Sequence, residues 1–548
     1  MKFLSASLFL FFAATAACFS QNKVSRSYLD TASAYFETAR YAKALIYYEK
    51  GIQAGDTGNY TYYRASQSAC KSGDEQKAIA YGERSFSKSQ DFYNYEYFAS
   101  DSLNSCFRNS AAGKSIIAAL KTKYDAWQLE QSNYISSIND STKRIRSAAL
   151  SSPTKAKEKL INQSPAQLKQ WIKNFNAFPV PPVKDHWTLY HITVRDTIKM
   201  PFLLYIPKNY NPAKKHFLYV YLHGAATRRK QFYVNSMIPK WEKEVLMKPL
   251  QEGAIILYAF ARQDINWVDY QDAFSAIEQE IVLTKSLYNI DDNRVYVGGH
   301  SDGGRGAFGF ALNKPSLFAA MYGVCYFPSL YSGDTFLANL RNGQRFYGIS
   351  ADDDELFPAK RIEPVYDMAK SIGANWENYT LKGDHGLPTE SPEATFFIYD
   401  LLFKQQRNPF PQKINWETDD ISNGRNAWIE ITALDTLAEK KEWQKEYSPI
   451  LTQNGKTVKA NFYKRKSGAI VAEANGNNIN ISASRVKKIR LYLSPDMFDF
   501  NQQLKVRIND KDFINIKLAQ DKTIMLSEFE KTKDRAFIVG QYMDLTIN

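Results

Sequence analysis

The chain has little of what metal, redox or disulfide-framed proteins are built from. Its 548 residues hold only four cysteines and six histidines. No His-Glu-x-x-His run and no paired cysteine spacing occurs, so neither a metal nor any other cofactor is expected. The glycine-rich phosphate loop and the dinucleotide fingerprint are both missing, which sets aside nucleotide-dependent chemistry. Beyond the N-terminal segment no apolar run approaches the ~20 residues of a transmembrane helix. Acid is also in short supply: 57 Asp and Glu stand against 70 Lys and Arg, a formal charge of +13. The basic residues are dispersed rather than clustered with repeating aromatics, so no nucleic-acid partner is expected. Such a surface favours acidic polymers or an anionic envelope.

At the N-terminus Lys2 gives a basic start, Phe3 to Ala14 form an apolar core and small residues follow. This is the pattern of a signal peptide over residues 1–20, with cleavage before Gln21 and a secreted or periplasmic product. A weaker reading makes Cys18 the lipid-bearing residue of an outer-membrane lipoprotein, because Thr15 stands where an aliphatic side chain is usual. Export leaves Cys70, Cys106 and Cys325, an odd number with at least one free thiol. Cys70 and Cys106 either pair or remain buried thiols on helical faces. Cys325, in Met321-Tyr322-Gly323-Val324-Cys325, reads as core strand.

The length implies several domains. Residues 21–175 read as helical. Within them Tyr41-Ala42-Lys43-Ala44-Leu45 and the residues after it return as Glu75-Gln76-Lys77-Ala78-Ile79, and Ala44 and Ala78 lie 34 residues apart. That period resembles the tetratricopeptide repeat, in which a small Ala lets paired helices approach closely. Gly51, Gly55 and Gly73 fall at expected turns, and a polar break comes at Ser151-Ser152-Pro153. The repeats are either a groove for a protein partner or a helical spacer. Residues 176–186 hold Phe178-Pro179-Val180-Pro181-Pro182, a stiff linker. Residues 187–408 alternate strands and helices after a leading antiparallel pair, which predicts a doubly wound, mostly parallel α/β sheet. Residues 409–548 alternate apolar and polar positions between Asn- and Asp-rich turns, which predicts an all-β, sandwich-like domain.

Chemistry concentrates in the α/β region. Gly299-His300-Ser301-Asp302-Gly303 follows the apolar Val295-Tyr296-Val297 and precedes a stretch of small residues. It reads as a serine on a sharp strand-to-helix turn, where larger neighbours would collide with the backbone. One histidine follows it, His385 in Gly383-Asp384-His385-Gly386. Between them lies the acidic turn Asp352-Asp353-Asp354-Glu355-Leu356-Phe357-Pro358. Ser301 is thus the candidate nucleophile, His385 its base and Asp354 the acid that orients the imidazole. Asp352 is the runner-up for the acid, and Asp353 reads as a solvated turn residue. An oxyanion needs two aimed backbone donors. They are expected from Asp302 and, in His223-Gly224-Ala225-Ala226, from Ala225. Trp267 and Tyr270 either line the substrate pocket or pack at a helix start. His300 and His223 are expected to be structural, and His186, His191 and His216 to be surface or strand residues.

Residues 187–405 resemble the α/β-hydrolase superfamily. They look like its secreted esterases: the polyhydroxybutyrate depolymerases, feruloyl esterases and dienelactone hydrolases. The resemblance is carried by Tyr221-Leu222-His223-Gly224, by Asp292 through Gly304, by Asp354 to Pro358 and by Gly383 to Gly386. It implies a Ser-Asp-His serine hydrolase that cleaves a carboxylic ester, on a polymer or carbohydrate, through an acyl-enzyme. Prolyl oligopeptidase-like peptidases are cousins, but their propeller repeats are missing here. An inactive scaffold that binds partners through its helical repeats is the reading from a different class.

Overall fold

A computed structural model describes residues 24–547 except 26, 57, 88–94, 138–159, 179, 182–183, 229–231, 233–239 and 454–455. The expected signal peptide, Cys18, the break at Ser151–Pro153 and part of the proline linker lie outside the described residues. The chain forms two compact units, Met1–Tyr134 and Ile135–Asn548.

The first unit is helical. Residues 27–37 are followed by helices Tyr41–Gln53, Asn59–Ser72, Glu75–Ser87 and, after the short helical pieces Tyr95–Ser100, Ser102–Asn104 and Ser105–Asn109, Ala111–Ser137. Ala32, Ala44, Ala65, Ala69 and Ala78 are wholly buried in one cluster, where the missing side-chain bulk brings the helices together. Gly55 and Gly73 end helices at φ 101° and 88°, the left-handed geometry glycine adopts without strain. Gly51 departs from its expected turn. It lies inside a helix, where a Cβ would come within 2.5 Å of Leu29. Cys70 and Cys106 are joined in a disulfide, which leaves Cys325 as the free, buried thiol among the described residues.

The second unit is built on an eight-stranded sheet. Its strands are β1 (His186–Val194), β2 (Ile198–Ile206), β3 (His216–Leu222), β4 (Ile255–Ala259), β5 (Ile290–His300), β6 (Ala320–Val324), β7 (Arg345–Ala351) and β8 (Trp376–Leu381). They lie in the order β1-β2-β4-β3-β5-β6-β7-β8. β1 and β2 pair antiparallel, β2 meets β4 antiparallel, and every later neighbour is parallel. β3 and β4 are buried along nearly their whole length, as their unbroken runs of Ile, Leu, Val and Tyr demand in a sheet covered on both faces. The parallel strands all end at the same edge, which is where loops of such sheets gather ligands.

After the sheet come β9 (Lys413–Thr418), β10 (Arg425–Asn426), β11 (Ile429–Leu434), the hairpin β12–β13 (Ile450–Gln453, Lys456–Lys459), β14 (Gly468–Asn475), β15 (Asn478–Ser484), β16 (Val486–Leu493), β17 (Gln503–Ile508), β18 (Lys511–Lys517) and β19 (Gln541–Thr546). A five-stranded sheet, β18-β17-β15-β14-β9, and a four-stranded sheet, β10-β11-β16-β19, share one apolar core. Trp416, Ile481 and Val506 come to it from the first sheet, Ile431, Leu491 and Leu545 from the second. The inward side chains alternate with exposed ones, as in Leu504, Val506 and Ile508 of β17.

The boundary between the compact units falls at Tyr134/Ile135. The helix Pro165–Lys173 belongs to the second unit because Leu168 and Ile172 bury themselves against Met525, Leu526 and Phe529 of the helix Lys522–Thr532. A buried ion network fastens the start of β5 to the segment after that helix. Asp292 accepts from Arg535 Nε at 3.1 Å and pairs with Lys285 Nζ at 3.0 Å, and Arg407 grips Asp534 through two nitrogens at 2.7 and 3.0 Å. Burial alone would raise the Asp534 carboxyl, but the charges of Arg407 and Lys285 and the hydrogen bonds to it outweigh burial and hold it below the usual range. Its contribution is therefore complete above the unfolded carboxyl pKa of ~3.9 and fades as pH falls through the lower folded value. Asp534→Asn is expected to cost about 3 kcal/mol at pH 7, because Arg407 is left buried without its acid. Urea denaturation should show that deficit unchanged between pH 8 and 5 and shrinking below about pH 4.

Candidate active site

β5 ends at His300 and the helix Asp302–Asn313 begins two residues later, so Ser301 alone makes the turn. It does so at φ 57°, ψ −120°, a sparsely populated conformation for a residue with a side chain. Its neighbours cannot carry one. A Cβ on Gly299 would lie 2.1 Å from the Leu222 carbonyl oxygen, and a Cβ on Gly303 would lie 1.8 Å from the same atom. The glycines two places either side of the serine therefore answer to the end of β3, which runs alongside β5 with Leu222 opposite Gly299.

Three side chains far apart in sequence meet there. Ser301 Oγ lies 3.0 Å from His385 Nε2. His385 Nδ1 lies 2.9 and 3.1 Å from the two Asp354 oxygens. His385 sits on the turn after β8 and Asp354 on the turn after β7. Asp354 is only 1% exposed, and its Oδ1 accepts the backbone N–H groups of Leu356 and Phe357 at 2.8 and 2.7 Å. Burial pushes this carboxyl up. The His385 hydrogen bond, the Phe357 and Leu356 amides and the charge of His385 pull it down further, so it ends below the ordinary carboxylate value. Asp352 instead accepts the Gly383 N–H at 3.0 Å and lies near Lys382 at the surface. Asp353 is exposed.

The surroundings fix the imidazole. His300 Nε2 donates to the His385 carbonyl at 2.8 Å, and the two rings lie 4.8 Å apart. Burial, then the charge of His385, lowers the His300 pKa to about 4, so it stays neutral. Glu355 accepts the His385 backbone N–H at 3.3 Å, and the Phe357 ring meets the imidazole at 5.6 Å and 66°. Cys325 lies just past β6 rather than inside it, at φ 48°. Burial and the charge of Asp354 push its thiol well up.

The loop after β3 closes over the serine. The position of a Gly224 Cβ lies 3.4 Å from Ser301 Cβ. His223 donates from Nδ1 to the Gly224 carbonyl at 2.7 Å and accepts the Ala261 N–H at Nε2 at 3.1 Å, so it orients this loop. Asp302 accepts the Ala226 N–H at 2.9 Å, which ties the loop to the helix start. Ala225 adopts φ 52°, a geometry glycine would take more cheaply. Among the described residues neither the Ala225 nor the Asp302 N–H donates to another protein group.

The two aromatic candidates are placed differently from each other. Trp267 has no exposed surface; it stands edge-on to His223 at 5.0 Å, and a Cβ on Gly306 would come within 2.5 Å of its ring. It is a wall behind the loop rather than a pocket lining. Tyr270 is 38% exposed and lies under Arg195, 5.7 Å from ring to guanidinium; no contact joins it to Ser301 or His385 among the described residues.

Two contributors escaped the sequence reading. Arg305, one helical turn past Ser301, was legible as a charge in a stretch of small residues. Lys464 of the β-rich region was not: it donates to the carbonyls of Leu330 and Gly333 at 3.0 and 3.3 Å, while Asp334 accepts the Lys464 and Arg465 N–H groups at 3.0 and 3.1 Å. The loop after β6 is thereby held by residues more than a hundred positions away. No group of three or more potential metal ligands occurs among the described residues.

No protein-family model and no curated protein matches the chain. Among solved structures it is similar to a thermostable esterase, at 22% identity over 41% of this chain and 64% of that one, with a TM-score of 0.34. It is also similar to Thermogutta terrifontis esterase 2 phosphoramylated by tabun (15% identity, 41% of this chain, 96% of that one, TM-score 0.34). A third is the Pyrococcus horikoshii acylaminoacyl peptidase, at 16% identity over 40% of this chain and 41% of that one, with a TM-score of 0.31. The chain spans just under two thirds of the first of these.

Gly303→Ala tests the crowding at the turn. Because the added carbon meets a backbone atom rather than a side chain, a loss of about 3 kcal/mol is expected in chemical denaturation. A stability within about 0.5 kcal/mol of the parent would show that β3 does not constrain the turn.

Proposed function

We propose that the chain is a serine hydrolase of the α/β-hydrolase superfamily that cleaves carboxylic esters through an acyl-enzyme. The observation that carries this is the alignment of Ser301 Oγ, His385 and Asp354 at 3.0 and 2.9 Å. It sits on a strained turn at the C-terminal edge of a parallel sheet, beside two amides that donate to no other protein group among the described residues. The strand order and its antiparallel leading pair support the superfamily, and the N-terminal apolar segment supports export.

Asp354 is ionised at neutral pH, so the ring proton belongs on the Nδ1 that faces it. The Nε2 lone pair then points at Ser301. During attack His385 takes the hydroxyl proton, Oγ bonds to the ester carbon, and the carbonyl oxygen gains negative charge between the N–H groups of Asp302 and Ala225. Asp354 stabilises the imidazolium. Collapse expels the alcohol with the proton from His385, and a water repeats the sequence to release the acid. His300 and Glu355 act through His385 by holding its backbone. The helical unit serves in this reading as a spacer or as a docking groove for a protein partner.

A fluorophosphonate probe should label the full chain, and Ser301→Ala should abolish that labelling. Asp354→Asn should lower kcat on p-nitrophenyl acetate by about 10⁴, as loss of the tautomer-setting acid does elsewhere. Asp352→Asn and Asp353→Asn should each stay within about tenfold of the parent. Folded protein that neither labels nor turns over esters overturns the reading, and equal mild losses at the three aspartates overturn the choice of acid.

A further inference from the structure

Arg305 stands four residues past Ser301 and donates its N–H to the Ser301 carbonyl at 3.0 Å. Residues four apart lie one above the other on a helix, so its side chain rises on the serine's face. It is 3% exposed. Nε donates to the Phe327 carbonyl at 3.2 Å, but Nη2 is buried and reaches no acceptor. No ion pair forms with any described carboxylate.

Aromatic rings enclose this charge. The guanidinium carbon lies 4.3 Å from the ring centre of Tyr331, 5.6 Å from that of Phe357 and 6.0 Å from that of Phe327. Phe357 also meets the His385 imidazole, so a single ring separates the guanidinium from the proposed base. Arg361 approaches Phe327 at 5.3 Å, and its Nε too is buried with no acceptor. Two cations thus share a ring cluster with no ion-paired carboxylate among the described residues.

Removing a guanidinium from water without an acid is strongly unfavourable. Cation–π contacts offset only part of that. An unanswered charge beside a nucleophile points to a charge that arrives with the ligand. The fork of an arginine matches a carboxylate, and the rings match the apolar stem that bears it. Tyr331 lies 4.3 Å from the guanidinium carbon yet is 60% exposed, so rotation of its side chain would open that face of the guanidinium. The backbone beneath it stays in place, held by Lys464 and Asp334.

We propose that Arg305, capped by Tyr331 and flanked by Arg361, is an anion-recognition site beside the reaction centre, and that the substrate is an ester bearing a free carboxylate. This rests on the serine-hydrolase reading and narrows its substrate class.

Two matched pairs of esters test it on the full chain. Mono-p-nitrophenyl glutarate against p-nitrophenyl butyrate places the carboxylate on the acyl side; 4-acetoxybenzoate against phenyl acetate places it on the alcohol side. The parent is expected to prefer the charged member of at least one pair by about tenfold or more in kcat/KM, chiefly through KM. Arg305→Lys, which keeps the charge and loses the fork, should cut that ratio severalfold, and Arg305→Met should bring it to about one. Tyr331→Ala alters only an exposed cap, so it folds even where the buried variants do not, and it should shift the ratio as well. Ratios at or below one for both pairs in the parent overturn the site, as does a ratio unmoved in all three variants. Turnover without charge preference removes the site alone, whereas absence of both turnover and fluorophosphonate labelling removes the hydrolase reading with it.

Discussion

One carbonyl oxygen, that of Leu222 at the end of β3, presses on both sides of the turn that carries Ser301. It would sit 2.1 Å from a Cβ on Gly299 and 1.8 Å from one on Gly303. With both side chains gone, β5 runs flush against β3 and the helix starts almost on top of it. The residue between the glycines is forced to φ 57°, which lifts its side chain clear of the sheet. The close approach also brings the loop after β3 over Ser301, where the position of a Gly224 Cβ lies 3.4 Å from the serine Cβ. A side-chain orientation, a loop position and a helix start thus follow from one steric contact.

The same economy holds for the imidazole. His385 is gripped at Nδ1 by Asp354, at its backbone N–H by Glu355, at its carbonyl by His300 and at its ring by Phe357. Asp354 is in turn fixed by two amides from its own turn. These contacts come from four different residues and hold the ring from its backbone, its Nδ1 and its face. His300, adjacent to Ser301 in sequence, is kept neutral by burial and so acts as a donor rather than a competing base.

Among the described residues, the β-rich region contacts the loops around the site without lending a side chain to Ser301 or His385. Lys464 and Asp334 pin the loop after β6, and Asn339 links the helix Asp302–Asn313 to β9 through the carbonyls of Leu312 and Glu417. At the opposite edge of the sheet the Arg535–Asp292 and Arg407–Asp534 pairs fasten the same region to the start of β5. The second unit therefore behaves as one body, and the loop that carries Phe327 and Tyr331 takes its shape from residues far along the chain.

Alternation of strands and helices, the serine on its turn and the order of serine, acid and histidine were all legible in the sequence. They are local: an apolar run, a glycine pair and an acidic turn each report on residues within a few positions. Among Asp352, Asp353 and Asp354 the sequence left a choice; the fold sets Asp354 against the imidazole, while Asp352 accepts the Gly383 amide and Asp353 faces solvent. Other features needed the fold. Trp267 looks like any aromatic at a helix start until β3 and the loop beside it enclose it. Gly51 passes for a turn residue until Leu29 fills the space above it. Cys70 and Cys106 left pairing open because helical faces accommodate thiols and disulfides alike. The helix Pro165–Lys173 reads as a continuation of the N-terminal helices until its apolar face meets Phe529. Local chemistry, bound to sequence neighbours, was set by the residues themselves. Whatever depends on which distant surface arrives, including the unanswered charge of Arg305, was decided only when the chain closed on itself.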